Sequence, residues 1–295
     1  MIKLLLKDAL AKYNDRISSQ KKGHIQEQYR ANTIRRHPLA LKPIDEITTV
    51  DIADYRDHRL KTEFGKAGKT ISPSTVRLEL SLLSDLFTIA EIEWGACTSN
   101  PVTKVRKPKI PSGRQRRLER YEEKRILRFC AQTNNDLVAA IISFGLETAM
   151  RRGEILGLLW EHVDLNSRVA HLPDTKNGSK RDVPLSLAAV RILNALGPKR
   201  TGLTFDCNVN RFKSAWRLTM QKTRIVDLRF HDLRHEAISR LFELGTLDML
   251  EIAAISVCRN HFKSRCIHRP IQPIRVCRSV PCKQLTNLLG RNNHL

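Results

Sequence analysis

Two short stretches of the chain pair arginine with the start of a helix. The first is Thr148-Ala149-Met150-Arg151-Arg152-Gly153-Glu154, which runs on into Ile155, Leu158 and Leu159 as an apolar side. The second is Phe230-His231-Asp232-Leu233-Arg234-His235, where Leu233, Ala237, Leu241 and Leu244 make a face to bury. A guanidinium is a planar fork of donors that grips two phosphate or carboxylate oxygens at once, whereas a lysine meets them only as a point charge. His231 and Arg234 are three residues apart and so share one face of a helix. Each stretch also has an ordinary structural account. Arg151 and Glu154 can be a plain i, i+3 ion pair, and His231 a capping or core histidine.

The whole chain carries the sign that a phosphate partner needs. Its 295 residues include 52 Lys+Arg against 30 Asp+Glu, a formal charge of +22. Such a chain is drawn to a polyanion by Coulomb attraction and counterion release, although a generically basic soluble protein has the same composition. The 41% of apolar residues is enough for packed cores and excludes a wholly disordered chain. No apolar run reaches the roughly 18–20 residues of a membrane span. The best, Leu137 to Met150, is short and contains Glu147. Met1 to Leu10 mixes Lys3, Lys7 and Asp8 with its leucines and has no cleavage site, so the expectation is a cytosolic protein without a membrane partner.

The elements that must position these residues follow from periodicity. The length suggests two domains. Ser72-Pro73-Ser74 opens a helix whose apolar positions Val76, Leu80, Leu83, Phe87 and Ala90 fall on one face. Thr48 to Arg59 reads as a second helix, with Thr48 as its cap before Val50, Ile52, Ala53 and Tyr55. Gly65 to Lys69 marks a basic loop, so residues 1–100 read as a small all-helical domain. Asn100-Pro101 ends it, because the residue before proline avoids helix. Pro101 to Arg120 then carries eight basic residues and one acid, Glu119, and reads as an extended linker laid along a phosphate backbone. Beyond it, Glu122–Cys130 and Asn135–Ala149 read as helices. Val169, His171 and Leu172 form a strand, Lys176-Asn177-Gly178 a tight turn, and Arg181 to Leu185 the returning strand. Helices resume at Ser186, Asn210 and Asp232.

Taken together, the two arginine stretches, their order and their separation resemble the tyrosine recombinase (phage integrase) family. The turn Thr175-Lys176-Asn177-Gly178 matches that family's β-hairpin lysine, and the helical first domain with its basic tether matches its core-binding domain. The resemblance runs to about Ser256. It is closest to shufflon-specific recombinases of conjugative plasmids, mobile elements in which such enzymes invert DNA segments between short inverted repeats. The stretches Asp45 to Ala53 and His231 to Ser239 point to that subgroup. The resemblance implies a mainly α fold. A helical core-binding domain (1–100) would be followed by a linker (101–118) and an α+β catalytic domain with a small antiparallel sheet (119–256). It also implies a C-shaped clamp on duplex DNA bearing short recombination sites, and a homo-oligomer on that DNA.

The chemistry that the family implies is strand cleavage through a 3′-phosphotyrosyl link. By resemblance, Arg151 and Arg234 clamp the non-bridging oxygens, and Lys176 protonates the leaving 5′-oxygen as general acid. His231 hydrogen-bonds the phosphate or manages the nucleophile's proton, while Glu154 and His235 orient the arginines. Arg152 and Lys180 are the rivals of Arg151 and Lys176. No metal or nucleotide cofactor is implied, because the covalent link conserves the bond energy for religation.

The resemblance breaks near residue 256. The family continues with Gly-His and then a tyrosine, yet the four tyrosines here are Tyr13, Tyr29, Tyr55 and Tyr121, and none follows Arg234. Tyr121 reads as packing near the linker. After Glu251 there is no acid, and from Val257 to Leu295 eight Lys+Arg and four of the seven cysteines accompany a loss of periodicity. A frameshift near codon 256 accounts for both changes, and no packed fold is expected for 257–295. The alternative is a divergent tail in which Cys258, His261, Cys266, His268, Cys277 and Cys282 hold zinc. Their spacings do not give two clean paired-ligand knuckles. The sequence thus reads as a site-specific DNA recombinase without its own nucleophile. Its rivals are a catalytically dead DNA-binding remnant and a form with a metal-binding tail.

Overall fold

The computed structural model describes residues 3–64, 68–173 and 180–256. The hairpin turn with Lys176, the basic-loop tip at 65–67 and the stretch 257–295, including the cysteines and histidines weighed as zinc ligands, lie outside these residues. The chain forms two compact units, Met1–Gly113 and Arg114–Leu295. Helices dominate both, and the one three-stranded sheet among the described residues is antiparallel.

In the first unit, helices α1 (Leu6–Arg16), α2 (His24–Arg35), α3 (Thr49–Lys61) and α4 (Pro73–Ile92) surround one core. Between α3 and α4 lies a two-residue antiparallel ladder of β1 (Glu63–Phe64) and β2 (Lys69–Thr70), which the all-helical expectation lacked. Helix α4 starts where its cap predicts. The Ser72 hydroxyl accepts from Thr75 N–H at 3.2 Å, and Pro73 supplies a pre-set first turn. Val76, Leu80, Leu83, Phe87 and Ala90 are all buried. Thr48 and Asp51 cap α3 reciprocally, Thr48 N–H donating to the Asp51 carboxylate at 2.9 Å. Val50, however, is exposed, and the α3 face is carried by Ile52 and Tyr55. Inside this unit Glu79 accepts from Tyr55 Oη at 2.9 Å and from two nitrogens of Arg59, so a buried charge is fully partnered.

The second unit opens with α5 (Arg120–Gln132), α6 (Asp136–Thr148) and the five-residue α7 (Arg152–Leu156). Strands β3 (Val163–Asp164), β4 (Val169–Leu172) and β5 (Arg181–Pro184) follow in a meander, with Leu172 opposite Arg181 and Ala170 opposite Val183. Ala170, Leu172 and Val183 face the core, as a period of two requires. Helices α8 (Leu187–Ala195), α9 (Val209–Lys222), α10 (Phe230–Leu244) and α11 (Met249–Ser256) complete it. Helix α6 is apolar almost all round because it is the central helix of this core, touching α5, α7, α8, α9 and α10. On α10, Leu233, Ala237 and Ile238 are buried and Leu241 is half-buried, but Leu244 is 59% exposed.

The basic stretch after Asn100 is not a free tether over its whole length. Asn100 holds the end of α4 through Ser84 O and Thr88 Oγ1, each at 2.9 Å, and Val102 and Val105 are buried in the first unit's core. In the second unit Arg114 clasps both oxygens of Asp232 at 3.2 and 2.9 Å, and Arg116 meets Glu122. Arg117 reaches Glu236 and Glu243, each at 2.7 Å. These three guanidiniums are each ion-paired to carboxylates of their own unit.

Candidate active site

Helix α6 ends at Ala149, which adopts a left-handed conformation with φ 51°. This turn is held by Thr148, whose hydroxyl donates to Phe144 O at 2.7 Å. It points the Ala149 carbonyl at Arg234, whose Nη1 donates to it across 85 residues of chain. Arg234 is 5% exposed, on the second turn of α10. A buried cation next to a main-chain oxygen keeps its fork in one orientation, which is the pre-organisation that a phosphate clamp requires.

The start of α10 is fixed from two sides. Asp232 accepts from Arg229 N–H at 2.8 Å at the helix start and is gripped by Arg114 from its other side. Phe230 packs edge-on against Phe212 and Trp216 of α9, with ring centroids 4.9 and 5.5 Å away. Helix α6 approaches closely because residue 145 is glycine. A Cβ there would stand 3.3 Å from Ile155 Cδ1 and 3.4 Å from Phe230 Cζ. His231 is exposed beside this frame, and the rings of His231 and His235 are perpendicular with centroids 5.1 Å apart.

Arg151 caps α7 instead. Its N–H and its Nη1 both donate to Glu154 at 2.8 Å. Arg181 of β5 donates to the same carboxylate through Nη2 and to the Ile255 carbonyl through Nη1. Burial works against charge on Glu154, but the Arg151 N–H, the Arg151 guanidinium and Arg181 outweigh it and hold the carboxyl below its ordinary value. Arg181 thus joins the strand leaving the hairpin, the end of α11 and the Arg151 turn.

A cleft of about 330 Å³ opens between the Arg151 turn and the start of α10. Arg234, His231, Arg152 and Arg229 supply its polar lining, and Met150, Gly153 and Phe230 the rest. Among the described residues no acid lines it. Among the residues singled out from sequence, Arg234 and His231 stand in the cleft and His235 stands beside His231. Arg151 and Glu154 form the adjoining ion pair, and Lys176 lies outside the described residues. Arg152, ranked behind Arg151, lines the cleft, and Arg229 and Arg181 were not anticipated. Arg229 directly precedes the Phe230–His235 stretch, which was its available signal, whereas nothing local marks Arg181. Among the described residues no group of three or more His, Cys, Asp or Glu is gathered for a metal ion, and no helix is long and apolar enough to cross a membrane.

The sequence pattern of the phage integrase family matches residues 116–255. The chain is 56% identical over 254 residues to a shufflon-specific DNA recombinase of Escherichia coli, a match covering 86% of this chain and 66% of that protein, so it spans slightly under two thirds of that relative. It is 32% identical over 262 residues to a putative integrase/recombinase of Haemophilus influenzae, covering 85% of this chain and 82% of that one. In fold it is similar to a lambda integrase tetramer bound to a Holliday junction, with a TM-score of 0.67, 22% identity and coverage of 91% and 80%. It is also similar to the Tn1549 transposon integrase in complex with circular intermediate DNA, with a TM-score of 0.66, 17% identity and coverage of 88% and 93%. The chain belongs to the phage integrase, or tyrosine recombinase, family of site-specific recombinases.

Proposed function

We propose that this chain binds duplex DNA at short recombination sites as a homo-oligomer, and that the Arg234 cleft takes the phosphate to be cleaved. The observation that carries the reading is the cleft itself, lined by Arg234, Arg152, Arg229 and His231 with no acid among them. The 56% identity to a shufflon-specific recombinase favours inversion of a DNA segment as the overall reaction. In that reaction a tyrosine hydroxyl attacks the phosphorus, the bond to the 5′-oxygen breaks, and a 3′-phosphotyrosyl link forms. Arg234 and Arg151 balance the charge that grows on the non-bridging oxygens, with Glu154 orienting Arg151. Lys176 gives its proton to the leaving 5′-oxygen, and His231, supported by His235, hydrogen-bonds the phosphate or takes the nucleophile's proton. No metal or nucleotide is needed to store energy for religation.

The nucleophile is where this chain departs from that scheme. No tyrosine follows Arg234. Tyr13 and Tyr55 are fully buried in the first unit, Tyr29 is exposed there, and Tyr121 is exposed on the first turn of α5. This favours a second reading, a DNA-binding chain that cleaves nothing by itself. Incubation with a nicked suicide duplex, followed by a denaturing gel, separates the two. The expected result is binding without a covalent adduct. An adduct lost only with Tyr121→Phe would make Tyr121 the nucleophile, and failure to bind duplex at all would sink both readings.

A further inference from the structure

A second basic concavity lies in the Arg114–Leu295 unit, where the C-terminal ends of α5 and α9 meet. It encloses about 270 Å³ and shares no lining residue with the Arg234 cleft. Arg125 and Arg128 line it from α5, and Lys222 and Arg224 from the end of α9, around a half-buried Phe129. Among the described residues no acid lines it. Other arginines of this unit differ. Arg114, Arg116, Arg117 and Arg240 each hold an internal carboxylate. Among the described residues no carboxylate is ion-paired to Arg128, Lys222 or Arg224.

Arg224 adds a second observation. Helix α9 ends in a Schellman motif, with Ile225 N–H donating to Met220 O at 3.1 Å and Arg224 N–H to Gln221 O at 3.2 Å. Arg224 is the left-handed residue of this motif, with φ 50°. That position belongs by preference to glycine, because a Cβ is strained there. The chain accepts that strain and places a guanidinium at the rim of the groove.

We propose that this groove is a second phosphate-binding site, which holds backbone phosphates of duplex DNA away from the Arg234 cleft. The proposal rests on the reading that the chain binds duplex DNA. Unneutralised cations held close together gain most from a polyanion, because each phosphate contact releases a condensed counterion. Phe129 gives the sugar an apolar surface. An acidic peptide is the competing ligand for the same cations, and the excess of 52 Lys+Arg over 30 Asp+Glu in a recombinase-family chain favours DNA.

The test is fluorescence anisotropy of the full chain with a labelled duplex that lacks any recombination site, titrated at several salt concentrations. The triple variant Arg128→Ala, Lys222→Ala, Arg224→Gly should flatten the log–log salt slope by about 2.7, roughly 0.9 for each lost contact. Arg224→Gly alone should flatten it by about 0.9. It should do so without lowering the melting temperature, since glycine takes the left-handed position freely. An unchanged slope in both variants overturns the proposal and leaves the cations as partners of the helix ends. Loss of binding to a labelled oligoglutamate peptide with an unchanged DNA slope would assign the groove to acidic peptides instead. If the unaltered chain binds no duplex, the proposed function fails first and this site with it. Binding with a steep slope that the variants leave intact removes the groove alone.

Discussion

Glu154 is the residue on which the Arg151 turn depends. Its side chain is 9% exposed, and it meets Arg181 at 5% exposure and Arg151 at 26%. Because its folded value is depressed, its contribution to stability is complete above the ordinary glutamate value of 4.5. That contribution is lost as pH falls through the lower folded value. Glu236 behaves in the same way. Burial opposes its charge, and Arg117 and Arg240 override that effect. Thermal melts across the acid range should therefore show this unit losing stability below the ordinary glutamate value. Glu154→Gln should cost about 3–5 kcal/mol at neutral pH, because it removes the charge that Arg181 and Arg151 share. It should also make the acid limb shallower. A variant with an unchanged neutral melt and the same acid limb would contradict this account of the ion pair.

At the scale of elements, the site depends on how closely α6 can approach α7 and the start of α10. Gly145 sets that distance, with Ile155 and Phe230 at 3.3 and 3.4 Å from where a Cβ would sit. Gly145→Ala sets a helix-propensity gain of about 1 kcal/mol against a slightly tight contact, so it should be nearly neutral. Gly145→Val adds two methyl groups beyond the Cβ that already fits tightly, and should destabilise by about 1–3 kcal/mol. Denaturant melts check both, and a valine variant as stable as the parent would mean that the helices part without cost. In the other unit, the Thr48 cap of α3 is local and exposed. Thr48→Ala should cost about 1 kcal/mol and leave the cleft untouched.

At the scale of the molecule, two separate cores and a net charge of +22 govern behaviour. Between them the chain at Lys107 and Lys109 is exposed and outside regular structure, whereas Arg114, Arg116 and Arg117 are ion-paired. Limited trypsin digestion should cut first near Lys109 among these sites and leave a fragment that retains the second core. Early cleavage after Arg117 would show that its pairs to Glu236 and Glu243 do not hold in solution. Duplex binding should weaken steeply with salt. About six phosphate contacts would give a log–log slope of roughly −5, and equal affinity at low and high salt would rule out a phosphate-dominated interface.

The sequence by itself determined what repeats or caps locally. The α4 stripe from Val76 to Ala90, the Ser72 and Thr48 caps and the strand at Val169–Leu172 with its return at Arg181 are written in periods of 3.6 and 2 and in residues a few positions apart. The Thr148–Glu154 and Phe230–His235 stretches were legible for the same reason, and their order carried the family. Strand β3 is only two residues long and has no period to detect. Tertiary structure alone decided which arginines are spent and which are open. Arg117 finds Glu236 across 119 residues and Arg114 finds Asp232 across 118. Arg181 reaches Glu154 from 27 residues away and Arg234 reaches Ala149 from 85. A guanidinium on a long side chain is the same letter in a salt bridge, a clamp or a groove. Only the position of the acids folded around it fixes its role, and that position has no signature in the local sequence.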